Sequence, residues 1–440
     1  MFRIPDNEFE AAINGTLLQK DITKLAKGEG KYGFNGKDSE RFMRAQLKSR
    51  HGETVEKYDQ FYRDHKLLLK LFQLLAVMPI TRSGPGLVTF SWKSSATTYA
   101  LIFYSLMTLV VLRIGYERVK ILQTTKEFDE YIYAIIFILF LIPHFWIPFV
   151  GWGVAKKVAE YKTMWGHFQV RYYRVTNITL QFPKLKILIV ILFVGCLICA
   201  VLFLLSLSSM LDGYPLWHTL AYYHIITMIN MNCSLWYINS RAIKAASKGL
   251  SECFKRDITA ECSSYMLSQY RFLWLNLSEL LQMLGTAYAR TYSTYIIFMS
   301  VNITIAIYGA FSDIFDHGEF SLKVGGLVVC TIYCSTLLFI FCDCSHKATL
   351  EVAQGVQDTL LSTNVLSIDM QAQKEVDLFI QAIEMNPAIV NLSGYGNVNR
   401  ELLSSVVGTV AIYLIVLLQF KLTLIAQNQA IGVQNAVKKM

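Results

Sequence analysis

Seven stretches of this sequence hold no Asp, Glu, Lys or Arg, at about 94–112, 131–154, 187–211, 214–240, 291–312, 324–341 and 402–420. Each reaches the roughly 17–25 residues that an apolar helix needs to cross a bilayer. A soluble core can hide one such run, but seven predict an all-α integral membrane protein with seven transmembrane helices. A shorter apolar stretch, Leu67–Ile80, stops at Pro79 and the Gly84-Pro85-Gly86 breaker, and predicts a pre-membrane helix near 67–80. Outside the runs, Leu273, Leu277, Leu280, Leu281 and Leu284 recur at helical spacing, as do Val376, Phe379, Ile380 and Ile383. These predict helices that project beyond the membrane and need one face buried against a neighbour.

Charge placement sets the expected orientation. With the N-terminus inside, the inner connecting loops hold 17 Lys and Arg residues and the outer ones 5. The positive-inside rule then makes the N-terminus cytoplasmic and, after seven spans, the C-terminus extracellular. No cleavable signal peptide is expected, since the first run begins only after about ninety mixed residues. The sequons at Asn14, Asn177, Asn276 and Asn391 fall in inner segments, and those at Asn232 and Asn302 fall within spans, so no glycosylation is expected. The formal charge of +9 suits an anionic inner leaflet, and nucleic acid is not an expected partner. Nine cysteines lie in spans or inner loops, away from any extracellular disulfide framework. Cys342, Cys344 and His346 have no fourth ligand nearby, so neither a metal nor a cofactor is expected.

Polar groups at membrane depth face a cavity or a bundle interior. In the outer half, Trp217, His218, Tyr222, Tyr223 and His224 open the fourth span, with His218 and Tyr222 on one face. Asn302, Ala306, Gly309 and Asp313 form a stripe on the fifth, with Tyr308 beside it, and Thr331 and Tyr333 lie on the sixth. Carboxylate, amide and aromatic groups in this combination suit a sugar, with its hydroxyl rim and weakly apolar faces. For each aromatic alone, core packing or an interfacial belt is the plainer role. Pro143, His144, Trp146 and Pro148 in the second span read as a kink. Outer acids Glu127, Asp129, Glu130, Asp316 and Glu319 favour the approach of cations.

Near the C-terminus a single amide, Gln419, sits among branched aliphatics. Facing lipid it would cost several kcal/mol, so it faces protein or water, as an interhelical hydrogen bond or as part of an ion path. Tyr413, five apolar residues and then Gln419-Phe420 resembles the C-terminal signature of insect gustatory receptors, in which Thr stands where this chain has Ile412. The stretch Thr286–Ser293 is similar to the fructose-sensing branch of that family. The resemblance implies a ligand-gated, nonselective cation channel in the plasma membrane of a sensory neuron, opened by a sugar, with fructose as the expected one. It implies a homotetramer, or a heteromer with other gustatory receptors. In that layout residues 1–93 form a cytoplasmic tail and 94–345 hold helices 1–6, with cytoplasmic anchor extensions in 241–290. Anchor helices follow over 346–400, a pore-lining seventh helix over 401–421 and an extracellular tail over 422–440. Gln419, Ile415, Ile412 and Phe420 are the expected pore residues, with Phe420 packing behind the ring. The alternatives are a secondary transporter, although no internal repeat is visible, or a bitter-type receptor of the same fold. No Asp/Glu-Arg-Tyr follows the third span, which argues against a G-protein-coupled receptor, and no segment carries a catalytic motif.

Overall fold

The computed structural model describes Val55 and residues 57–437, except 85–86, 125–127, 211–213, 319 and 364–367. The N-terminal tail with Asn14, the acids Glu127 and Glu319, the side chains of Asp129 and Glu130, and residues 438–440 lie outside the described residues.

Helix α1 runs Gln60–Leu74 and starts at Asp59, whose carboxylate accepts from the Tyr62 amide at 3.1 Å. Its buried face (Phe61, Leu68, Leu69, Phe72) packs against the bundle. Gln169 donates to Asp59 at 3.0 Å and accepts from the Phe61 amide at 3.0 Å. Burial pushes the Asp59 carboxyl above the ordinary carboxylate range, and these donors oppose that shift. Lys162 reaches His65 at 3.1 Å and Asn239 at 2.8 Å. A helix docked by buried polar groups differs from the interfacial helix expected near 67–80. It begins earlier, and Pro79 marks the change to a hairpin, β1 (Ile80–Gly84) and β2 (Leu87–Phe90), paired antiparallel with Ile80 opposite Phe90.

All seven charge-free runs lie on helices. They are α2 (Ser95–Thr124), α3 (Phe128–Leu139) with α4 (Ile142–Thr176), α5 (Leu185–Ser208), α6 (Thr219–Ala260), α7 (Ser264–His317), α8 (Leu322–Ser362) and α10 (Arg400–Val437). The second run breaks at Phe140–Leu141, and Pro143 occupies the first turn of α4, where its missing N–H costs nothing. Six helices among the described residues combine the length and hydropathy of a span. The run that falls short is α6, and its burial explains why. Thr227, Asn230, Asn232, Ser234 and Asn239 are all buried on it, so it faces protein on most sides and can carry amides where lipid would forbid them.

At 1.5 Å per residue α6, α7 and α8 are about 63, 81 and 62 Å long, roughly twice a ~30 Å hydrocarbon core or more. They therefore project together beyond the membrane, with α9 (Met370–Met385) against α7. The leucine stripe 273–284 is fully buried there, and Val376, Phe379 and Ile383 close over it. Trp236 Nε1 donates to Ser345 Oγ at 2.7 Å, and Trp274 Nε1 to the Val352 carbonyl at 2.9 Å, which fixes α8 against α6 and α7. Truncating either tryptophan to Ala costs about 3–5 kcal/mol by the usual scale for buried aromatics. Between α9 and α10 a tight turn pairs Asn391 with Asn397 and presses on α7 at Gly285. A Cβ there would lie 2.4 Å from the Asn391 carbonyl oxygen, so no other residue fits without backbone movement.

Helix α10 packs on α7 and α8 and runs to Val437, past the span expected to end at 421. Nothing in the 422–437 segment stops a helix, since it holds no proline and is rich in Leu, Ile, Ala and Gln.

Candidate functional site

Residues near the ends of α2 and α7 and the starts of α3, α6 and α8 build two polar clusters. His218 is buried between two side chains of α2 that sequence reading placed in a loop. Arg118 donates to its Nδ1 at 2.9 Å, so Nε2 carries the proton and donates to Glu117 at 3.0 Å. Arg118 is itself buried, with its guanidinium 4.8 Å from the Phe137 ring. A buried cation needs such partners. Tyr222 lies beneath, and its hydroxyl donates to the Phe137 carbonyl at 3.1 Å. Trp217 is half-exposed at the rim, and Tyr223 is half-buried.

Asp313 anchors a second cluster. Ser321 donates to it at 2.9 Å, the Tyr133 hydroxyl reaches it at 3.4 Å, and His317 lies 2.9 Å away. Ser321 also caps α8 through the Val324 amide, so this carboxylate fixes the α7–α8 turn. On the same turn of α7, Ser312 and Asp316 receive Lys421 of α10, at 2.9 Å to the Ser312 carbonyl and 2.6 Å to the Asp316 carboxylate. The stripe below is closed. Gly309 lets Ile132 and Leu327 approach so near that a Cβ would meet Ile132 at 2.7 Å. Asn302 is fully buried and donates to the Phe298 carbonyl at 2.8 Å, while its Oδ1 finds no partner among the described residues. Tyr308 is half-buried beside the stripe, and Thr331 donates to Leu327 of its own helix. Sequence reading expected these residues to line one pocket, whereas the structure places His218 and Asp313 in two separate polar clusters.

Free space lies deeper. A cavity of about 10 Å³ is lined by Pro143, Trp146 and Ile147 of α4, Ile229 of α6 and Thr294, Tyr295 and Phe298 of α7. Another of about 20 Å³ lies between Cys233, Tyr292, Tyr295, Met299, Leu337 and Phe341. Pro143 and Trp146, read as part of a kink, therefore also border a void. Ordinary ligand pockets are roughly 300–1,000 Å³, so both are small and almost wholly apolar.

The faces of α10 differ sharply. Only 6% of its apolar window is buried, against 44% for α8. Val406, Val410, Leu414 and Lys421 pack on the chain's own helices, whereas Ile412, Ile415 and Gln419 are exposed. With about 100° per residue, these two sets point about 170° apart. Phe420 and Tyr413 are exposed on the flank. At its start α10 is tied by Arg400, which donates to Asp343 of α8 at 2.6 Å.

A bundle of long apolar helices with an uncovered last helix defines an all-α membrane protein. The sequence pattern of the 7tm chemosensory receptors matches residues 65–424, and the chain belongs to that family. It is 40% identical over 396 residues to Gustatory and odorant receptor 22 of Anopheles gambiae, covering 87% of this chain and 83% of that protein. To Gustatory and odorant receptor 21a of Drosophila melanogaster it is 40% identical over 388 residues, covering 87% of this chain and 85% of that one. The insect olfactory receptor OR5 from Machilis hrabei, solved in complex with eugenol, shares the fold with a TM-score of 0.54 at 11% identity, over 80% of this chain and 97% of that one.

Proposed function

We propose that this chain is a subunit of a ligand-gated, nonselective cation channel in a sensory-neuron plasma membrane, built as a tetramer around four copies of α10. The observation that carries it is the α10 stripe. Ile412, Ile415 and Gln419 point directly away from the face that packs on their own subunit. A ring of four such stripes gives a neutral amide constriction above an aliphatic one, able to close by dewetting. The N-terminus lies in the cytoplasm and the end of α10 outside, in keeping with the 17-to-5 loop asymmetry.

The ligand is a small uncharged molecule taken up between α4, α6 and α7. The apolar lining of the two cavities supports this, as do the relatives' names, which join odour to taste. Binding must favour the open state over the closed one, which requires these cavities to be larger when the pore is open. The narrower reading, a sugar such as fructose at Trp217, His218, Tyr222, Tyr223, Asn302, Tyr308, Asp313 and Thr331, is favoured by the chemistry of Asp313 and His218. A sugar there would have to displace Ser321 and Tyr133 from Asp313, or Arg118 from His218.

Expression in a heterologous cell, alone and then with a second family member, separates these readings. Currents are recorded against a panel of sugars that includes fructose, and of small volatiles that includes eugenol. Activation by a volatile that survives Asp313→Ala and is lost in Phe298→Trp, which fills the smaller cavity, is the expected result. A fructose current abolished by Asp313→Ala would move the ligand to the outer end. Silence of correctly inserted receptor to every compound, with and without the second subunit, would remove the channel reading.

A further inference from the structure

Where α6 and α8 leave the membrane, a cavity of about 440 Å³ opens between them. We infer that this cavity binds the phosphorylated headgroup of an anionic membrane lipid, of the phosphoinositide class, at the inner leaflet. Arg241, Lys244 and Lys248 line it from one face of α6 and Lys347 from α8, against a single lining acid, Asp343. The other acids nearby hold these cations loosely. Glu351 stands 3.8 Å from Lys244, and Glu252 stands 3.9 Å from Lys248. Arg241 meets only the Tyr237 hydroxyl, at 3.1 Å, among its described hydrogen bonds and ion pairs. At the floor, the buried Ser240 hydroxyl has no oxygen or nitrogen partner among the described residues. Four clustered cations above a buried hydroxyl are the chemistry of a phosphomonoester site.

Position selects a lipid over a soluble polyphosphate. The charge-free runs of α6, α8 and α10 end at 240, 341 and 402 on this side of the bundle, and the lining residues follow within a few positions. The cavity therefore lies at headgroup depth, where basic pockets between helices meet anionic lipid. Its one acid also matters for the pore. Asp343 bonds Lys347 at 2.7 Å and Arg400, the first residue of α10, at 2.6 Å. A phosphate that draws Lys347 away leaves Asp343 to Arg400 alone, so headgroup occupancy bears on how firmly the pore helix is held.

The leaflet rests on the orientation proposed above, whereas the site does not, and the test separates them. Full-length receptor is placed in nanodiscs of phosphatidylcholine with phosphatidylinositol 4,5-bisphosphate, or with phosphatidylserine at equal total charge, and retained lipid is read by native mass spectrometry. The expected result is selective retention of the phosphoinositide. Each cation near an anionic headgroup is worth about fivefold, so Arg241→Gln with Lys244→Gln and Lys347→Gln should lower retention at least tenfold. Equal retention by this variant and wild type, or equal retention of phosphatidylserine, would overturn the site. On wild-type protein, needing no variant to fold, soluble inositol 1,4,5-trisphosphate should compete only weakly. Competition as strong as that of the lipid itself would reassign the cavity to a soluble polyphosphate. Retention by a receptor that conducts nothing would leave the site standing and sink the channel reading. In excised patches, a response to short-chain phosphoinositide from the outer face alone would sink the orientation instead.

Discussion

Lys421 sits two positions beyond Gln419 and ties the end of the charge-free run of α10 to Ser312 and Asp316. Asp313, on the next face of the same helical turn, fixes the α7–α8 connection through Ser321. The polar outer cluster and the pore helix therefore share one turn of α7, and a shift of that turn reaches both. Lys421 is nearly buried and Asp316 about a third exposed, so the pair is worth less than a fully buried one, about 1–3 kcal/mol. Lys421→Ala and Asp316→Asn should each move the half-activating ligand concentration in the same direction, by about 5- to 150-fold. The double variant should move it no further than the larger single effect, as a double-mutant cycle on dose–response curves will show. Additive shifts would mean that the two residues act on gating separately.

At the scale of elements, the proposed channel has α10 separate gate from scaffold by face. Ile415→Ser should wet the aliphatic constriction and produce current without ligand. Gln419→Ala should change unitary conductance or selectivity while ligand sensitivity moves less. Single-channel recordings unchanged in both variants would mean that the amide marks an interhelical contact. The elements were legible in the sequence to very different degrees. Charge-free length located the long helices, because lipid tolerates no buried charge and no backbone left unpaired. The leucine and Val376–Ile383 stripes likewise announced the projecting helices. Burial of α6 lowered its hydropathy, and the docking of α1 depends on Gln169 and Lys162, about a hundred positions away. The 80–90 hairpin was hidden because Gly84-Pro85-Gly86 signals a stop as readily as a turn. At the candidate site, His218, Asp313 and Gln419 could be named from chemistry alone. Their partners could not, because Arg118 reads as the charge that ends a loop and Lys421 as the charge that ends a span.

For the whole molecule, the proposed topology of seven spans with an inside N-terminus puts the two chain ends on opposite sides of the membrane. An N-terminal tag should be reached by antibody only after permeabilisation, and a tag following Met440 on intact cells. Surface labelling of the N-terminal tag would invert the bundle. It would also turn the basic cavity of α6 and α8 outward, to a leaflet poor in anionic lipid.

The two ion pairs of α10 have a mechanical consequence. Arg400 and Lys421 lie 21 positions apart, about 31 Å along the helix axis, close to the ~30 Å thickness of hydrocarbon. A rod pinned at both boundaries of the oil cannot slide along its own axis without breaking one pin, but it can still turn. Rotation is then the motion left to it, and in the proposed tetramer it swings Ile415 and Gln419 together towards or away from the pore axis. The spacing of the pins also makes the helix a gauge of its surroundings. A thicker bilayer stretches the distance between the two charged ends, and a thinner one relaxes it, so membrane thickness itself biases the gate.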